Sequence, residues 1–288
     1  MNYFQPNDLN SALDVLQNNS DLTIAAGCTD LFPITNNMSL DKNILDITNI
    51  KSIKGFQFNS KETKIGSATT WTDIINENLP SCYDMLKACA KEVGSIQIQN
   101  LGTIGGNICN ASPAADSIPC LLALDAKLEL SSANNQRIIP VDEFILGSRK
   151  TKLEQGEILT SIIIPKEKEN GSSSFRKIGA RKYLVISISM VACRILISNN
   201  IIEDISISVG SCSEVAKRIF SIERQLIKKD INEDIFNQVD FSQLNEISPI
   251  TDIRSTHVYR LKASQSLIKD VVKDCLLYTS DAADESVR

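Results

Sequence analysis

Residues 97–116, QIQNLGTIGGNICNASPAAD, hold the groups in this chain most able to do chemistry. From Val93 to Ala115 there is no Asp, Glu, Lys, Arg or His, although 23% of the chain is charged. A buried strand is apolar and a solvent loop carries charge; a neutral stretch of Gly, Asn, Ser and Thr is neither. Gly102, Gly105 and Gly106, beside Thr103 and Asn107, offer unhindered backbone N–H donors and two side chains able to bond phosphate oxygens. Such a cradle holds a buried diphosphate without lysine, and further charged side chains would cost desolvation. The pattern is neither a P-loop, since no Gly-Lys-Ser/Thr follows, nor the Gly-x-Gly-x-x-Gly fingerprint. A second stretch, TIAAGCTDLFP, brings a β-rich approach to Gly27 and then to Thr29 and Asp30. Positive φ at the glycine would let successive N–H groups converge on an anion, although a plain turn is written in the same letters. Ser112, Pro113 and Asp116 follow in a turn-rich segment. Asp116 is either a specific acceptor, to a ribose hydroxyl or a ring N–H, or the N-cap of the helix IPCLLALDA.

The elements that must position these residues are mixed. PNDLNSALDVLQNN reads as an amphipathic helix capped by Asn7 or Asp8, with Leu9, Ala12, Leu13 and Leu16 on one face. LTIAAG is a strand that breaks at Gly27, a helix runs from about Thr72 to Asn78, and SCYDMLKACAKEV is a helix ending at Gly94. IPCLLALDAKLELSS passes from helix to strand, and EILTSIIIP is a strand closed by Pro165. Strands and helices do not alternate as in a parallel sheet, so the class is α+β. KEKENGSSS, charged and then rich in Gly and Ser, reads as a linker at a domain boundary. Beyond it, ISISMVACRILI and IIEDISISVGS are antiparallel strands joined by SNN; EVAKRIFSIERQLIKK, NEDIFNQVD and HVYRLKASQSLIKDVVKD are helical.

Composition excludes several functions. At 288 residues and 42% hydrophobic the chain can bury a sizeable core. A net charge of −5 leaves no basic footprint for nucleic acid. The eight cysteines form no Cys-x-x-Cys pair, which argues against a metal or iron–sulfur site on this chain, and His257, the only histidine, leaves no multi-histidine site. No run is long enough for a membrane helix and the N-terminus lacks a signal-peptide pattern, so the expected compartment is the cytoplasm.

AAGCTDL, QIQNLGTIGGNICNASPAADSIPCLLALDA, GEILTSIIIP and FRKIGARK resemble, in order and spacing, the FAD-binding medium subunit of the xanthine dehydrogenase and carbon monoxide dehydrogenase group of molybdenum hydroxylases. PITDIRSTHVYR resembles the closing signature of that subunit's C-terminal domain. The resemblance spans Tyr3 to Asp274. It implies a two-subdomain FAD-binding fold of the vanillyl-alcohol-oxidase/PCMH type over residues 1–168, divided at about residue 55, and a C-terminal domain over 172–274 with antiparallel sheet and helices. It also implies that Ala26, Gly27, Cys28, Thr29, Asp30 and Leu31, with Thr103, Gly105, Gly106 and Asn107, cradle the FAD diphosphate. Asp116 would reach the adenosine ribose or a flavin edge, and Ser112 would be a further cofactor-binding residue. Leu159 would pack by the isoalloxazine and Lys177 would sit near its polar edge, where a lysine stabilises negative charge on reduced flavin; simple core and surface roles are the alternatives.

The activity so implied is electron transfer, with no catalytic residue and no metal on this chain. Electrons would come from a molybdopterin-binding large subunit by way of a 2Fe-2S small subunit and pass through FAD to NAD+ or another acceptor. A self-contained FAD oxidoreductase and a non-catalytic nucleotide-binding scaffold are the alternatives. Two positions depart from the family pattern: Cys28 stands where a second glycine is usual and Gln99 where arginine is frequent. Cys28 leaves N–H donation intact unless positive φ is required there. CLLYTSDAADE, from Cys275, resembles the translated read-through of a sequencing adaptor, which sets residues 275–288 apart as non-native, with the natural C-terminus missing after about Asp274.

Overall fold

The structure is a computed structural model that describes residues 2–33, 42–181, 185–231 and 235–285, with side chains as far as Leu277. Lys182 and the last part of the expected tail, 286–288, lie outside the described residues.

The chain opens with β1 (Tyr3–Phe4), α1 (Leu9–Asn18), β2 (Leu22–Ala25) and β3 (Asn43–Asp46). Asp8 caps α1 by accepting from the Ser11 amide, and Ala12, Leu13 and Leu16 are buried on one face, as the periodicity requires. The three strands form a parallel sheet in the order β1-β3-β2, so the chain leaves β2 directly into residues 26–31 at the sheet's carboxyl edge.

Next come β4 (Phe56–Phe58), β5 (Glu62–Gly66), α2 (Trp71–Asn76), α3 (Asp84–Glu92), α4 (Ile96–Leu101), α5 (Ile104–Asn110) and α6 (Ser117–Ala123). They are followed by β6 (Lys127–Ser131), β7 (Gln136–Pro140), α7 (Val141–Phe144), β8 (Ile145–Gly147), β9 (Lys150–Thr151) and β10 (Ile158–Pro165). An antiparallel sheet in the order β4-β5-β10-β6-β7 carries β10 at its centre, and Ile158 to Ile164 are all buried. A strand buried on both faces reads as continuous apolar sequence, which is why ILTSIIIP lacks alternation.

The remaining elements are β11 (Ser172–Gly179), β12 (Ser187–Ser198), β13 (Ile201–Gly210), β14 (Lys217–Arg218), α8 (Phe220–Leu226) and α9 (His257–Glu285). They make an antiparallel sheet in the order β11-β12-β13-β14, with α9 across β11 and β12 and α6 against β12 and β13. Asn199 and Asn200, both at positive φ, turn the chain between β12 and β13. Two expected helices shrink. In EVAKRIFSIERQLIKK, Lys217 and Arg218 pair with Val209 and Ser208 as an edge strand, so only Phe220–Leu226 is α-helical. In NEDIFNQVD only Ile235–Asn237 makes a helical turn among the described residues. The expected linker is also shorter than KEKENGSSS, since Ser172 already opens β11. No helix among the described residues is long and apolar enough to cross a membrane. Cys275, the first residue of the expected tail, is buried against β12 in the C-terminal core.

Candidate functional site

A cavity of about 1210 Å³ lies where residues 24–31, α5, the 112–116 segment and the start of β10 meet residues 185–187, 211–214 and 250–254 of the C-terminal sheet and its loops. Every residue singled out from the sequence lines it except Lys177: Ala26 to Leu31, Thr103, Gly105, Gly106, Asn107, Ser112, Asp116 and Leu159 all face this space.

The two glycine stretches contribute differently from what their letters suggest. Gly27 does not have positive φ; it is bare because a Cβ there would stand 2.0 Å from the Leu101 carbonyl oxygen. Positive φ falls one residue later, on Cys28 at 57°, where an L side chain crowds the following carbonyl. Among the described residues, no hydrogen bond joins the amides of 27–31 to a protein acceptor, and residues 27–31 all line the cavity. The amides of the second stretch are not free. Ile104 N–H donates to Thr69 O, Gly105 N–H to Ser67 O, Gly106 N–H to Thr103 Oγ1 and Asn107 N–H to Thr103 O. The expectation of several unhindered donors at Gly105 and Gly106 is therefore corrected. These glycines serve close packing: a Cβ on Gly105 would lie 2.6 Å from both the Cβ and the carbonyl oxygen of Ser67. Gly106 presents bare backbone to the cavity, and the Thr103 hydroxyl proton and the Asn107 Nδ2, whose Oδ1 accepts from Ser117, remain as side-chain donors.

Asp116 sits at the head of α6 but makes no cap bond with its side chain. Its Oδ2 instead accepts from Lys177 Nζ at 2.7 Å and its Oδ1 from Ser187 Oγ at 2.7 Å. The same Nζ donates to Glu92 O at 3.1 Å. Lys177 is not among the residues lining the cavity; its ammonium donates to Asp116 Oδ2 and Glu92 O, and both of those residues do line it.

Several residues at the site carried no local signal. Arg149 lines the cavity, donates to Asp30 at 2.5 Å and also bonds Asn110 Oδ1. It arrives there through a positive φ and a hydrogen bond from its N–H to Ala111 O, neither of which GSRKT announces. Burial pushes the Cys28 thiol up, with the Asp46 carboxylate adding to the rise, and burial takes Cys109 up to about 12, so both thiols on the wall are neutral. On the C-terminal side, Arg260 Nη2 donates to Asp252 Oδ1 at 2.8 Å, and the amides of Arg254 and Ser255 donate to the same oxygen.

Residues 1–167 match the family model described as the FAD binding domain in molybdopterin dehydrogenase. The chain belongs to the FAD-binding medium subunits of the xanthine dehydrogenase and CO dehydrogenase family. Residues 156–275 match the CO dehydrogenase flavoprotein C-terminal domain. Among the relatives of this medium subunit, the glyceraldehyde dehydrogenase medium chain of Sulfolobus acidocaldarius is 29% identical over 94% of this chain and 97% of its own length. The xanthine dehydrogenase FAD-binding subunit of Escherichia coli O157:H7 is 28% identical over 95% of each. The fold is shared with the carbon monoxide dehydrogenase of Hydrogenophaga pseudoflava, at a TM-score of 0.84 and 23% identity over 96% of this chain and 97% of that one. Quinoline 2-oxidoreductase from Pseudomonas putida 86 gives a TM-score of 0.84 at 20% identity, covering 96% of each chain. The medium subunit thus binds FAD and is part of an oxidoreductase.

Proposed function

We propose that the medium subunit holds FAD in the 1210 Å³ cavity and relays electrons from a partner's iron–sulfur clusters to an acceptor. The observation that carries this reading is that residues 27–31 line the cavity and their amides have no protein acceptor among the described residues. Amide donors without a protein acceptor among the described residues, on a cavity wall, suit a diphosphate. Ala26 to Leu31 would hold the diphosphate, with Thr103 and Asn107 supplying side-chain donors and Gly106 allowing close approach. Gly105 acts indirectly by letting α5 seat against Ser67. Leu159 offers an apolar wall to the ring, and Ser112 and Asp116 form the polar rim. Bound FAD supplies two-electron and one-electron redox chemistry; the residues around it orient it and limit water.

In the same reading, the divide between an FAD domain and a C-terminal domain falls at residues 168–172, and the partners are a molybdopterin-binding large subunit and a 2Fe-2S small subunit. The acceptor is NAD+ or another oxidant. No disulfide is formed among the described residues, which fits the proposal of a reducing compartment such as the cytoplasm.

The test is a visible spectrum of the full chain after incubation with excess FAD and desalting, with the released cofactor identified by mass. About one FAD per chain is the expected result. A folded, colourless protein, both alone and co-expressed with the two proposed partners, would reject it.

A further inference from the structure

We propose that Arg149 supplies the cation that binds the diphosphate of FAD. The inference rests on the reading that the cavity holds FAD with its diphosphate against residues 26–31, and it adds a charged ligand to a cradle whose other donors are neutral. Among the described residues, three cationic side chains line the cavity: Arg149, Arg254 and Arg260. The last two are held on the C-terminal side, where both donate to Asp252. Arg149 is the one bonded to the 27–31 stretch: its Nη1 donates to Asp30 Oδ2 at 2.5 Å and also to Asn110 Oδ1. No hydrogen bond joins its Nε or Nη2 to a protein acceptor among the described residues. A guanidinium anchored through one nitrogen keeps a second edge for the bidentate bonding that phosphate oxygens accept.

The backbone at Arg149 points the same way. With Ser148 it turns the chain between β8 and β9, where Gly147 pairs with Lys150, and its φ is 58°. An arginine is strained there, since glycine or asparagine is the ordinary occupant of that conformation. Stability does not explain the strain. The Arg149 side chain is 48% exposed and that of Asp30 46%, and an ion pair so open to water contributes little to folding. Strain of this kind clusters where a group is held for binding. Asp30 and Asn110 thus fix the guanidinium from one side, and the diphosphate takes the open edge.

The experiment compares the full chain with Arg149→Asn, Arg149→Lys, Asp30→Asn and the variant carrying both asparagines, reading the FAD dissociation constant at low and high salt and the apoprotein Tm. Asparagine tolerates the positive φ, so Arg149→Asn is expected to fold with an unchanged or raised Tm. It should weaken FAD by about tenfold to a hundredfold, the loss of a hydrogen bond to a charged group. The gap should narrow at high salt, where the missing charge is screened. Lysine keeps the charge without the fork, so Arg149→Lys should fall between Arg149→Asn and the wild type. In the double variant the affinity stays low, because the cation is missing whether or not Asp30 is charged. An affinity restored there overturns the proposal, since Arg149 would then serve only to cancel the Asp30 charge. An affinity unmoved in Arg149→Asn overturns it too, as does a loss independent of salt that tracks a falling Tm, which marks a structural role. Should Arg149→Asn fail to fold, Arg149→Gly, whose backbone suits the turn, takes its place in the same comparison. Wild-type protein that takes up no FAD would instead reject the cofactor reading itself.

Discussion

Cys28 stands at φ 57°, a backbone conformation that favours glycine. An L residue in that region costs about 1–2 kcal/mol, and glycine's extra chain entropy returns about 0.5–1 kcal/mol of the gain from replacing it. Cys28→Gly is therefore expected to raise apoprotein stability by about 1 kcal/mol or less. It should leave FAD stoichiometry unchanged, because the donors at 27–31 belong to the backbone; thermal melts and flavin content check both. The two glycines of α5 separate folding from binding. Gly105→Ala drives a Cβ to 2.6 Å from the Ser67 backbone, which should destabilise the apoprotein by about 1–3 kcal/mol. Gly106→Val meets only the Thr103 hydroxyl within the fold and otherwise stands on the cavity wall. Its expected outcome is a folded protein that retains little FAD, read by circular dichroism and flavin absorbance.

At the scale of elements, the segment before α9 is tied down by one carboxylate. Burial alone would push Asp252 up, but Arg260 and the amides of Arg254 and Ser255 outweigh it and hold the group at about 2 against an ordinary 3.8. A folded-state value below the unfolded one means that the contribution is whole above about 3.8 and is lost as pH falls through about 2. Asp252→Asn should accordingly lower Tm at neutral pH, and its gap to the wild type should narrow as the pH is brought down through that window. A gap independent of pH would assign the stabilisation to shape instead of charge. The edge strand β14 shows the limits of local pattern. Its helix-compatible residues pair with β13, and Arg218 gains Asp125, 93 residues away, as a partner; such non-local contacts override weak intrinsic propensity.

For the whole molecule, ligand and fold are linked. The cavity wall draws on both the 1–167 and the 156–275 family regions. Lys168 pairs with Asp125 at 3.0 Å and with Asp204 at 2.9 Å, joining the sides away from Asp116 and Lys177. FAD at about a hundred times its dissociation constant adds about 2.7 kcal/mol to the folded state, so Tm should rise with FAD concentration. A Tm indifferent to FAD would contradict a site built across both regions.

The elements with strong periodicity or long apolar runs were legible: α1, β10, the hairpin of β12 and β13, and α9 follow from residues within one helix turn or one strand. So was one part of the cavity wall, because Gly27, Thr103, Gly106, Asn107, Ser112 and Asp116 fall in two short stretches whose composition matches neither core nor solvent loop. Only the tertiary structure decided which of these groups are free. The donors of 104–107 are taken by Ser67, Thr69 and Thr103, while those of 27–31 have no protein acceptor among the described residues. Asp116 is met by Lys177 and Ser187 from 61 and 71 residues away, and Arg149 reaches Asp30 across 119. Residue type and spacing state what a group can donate or accept; whether it is already satisfied depends on partners brought by other elements, which no local pattern encodes.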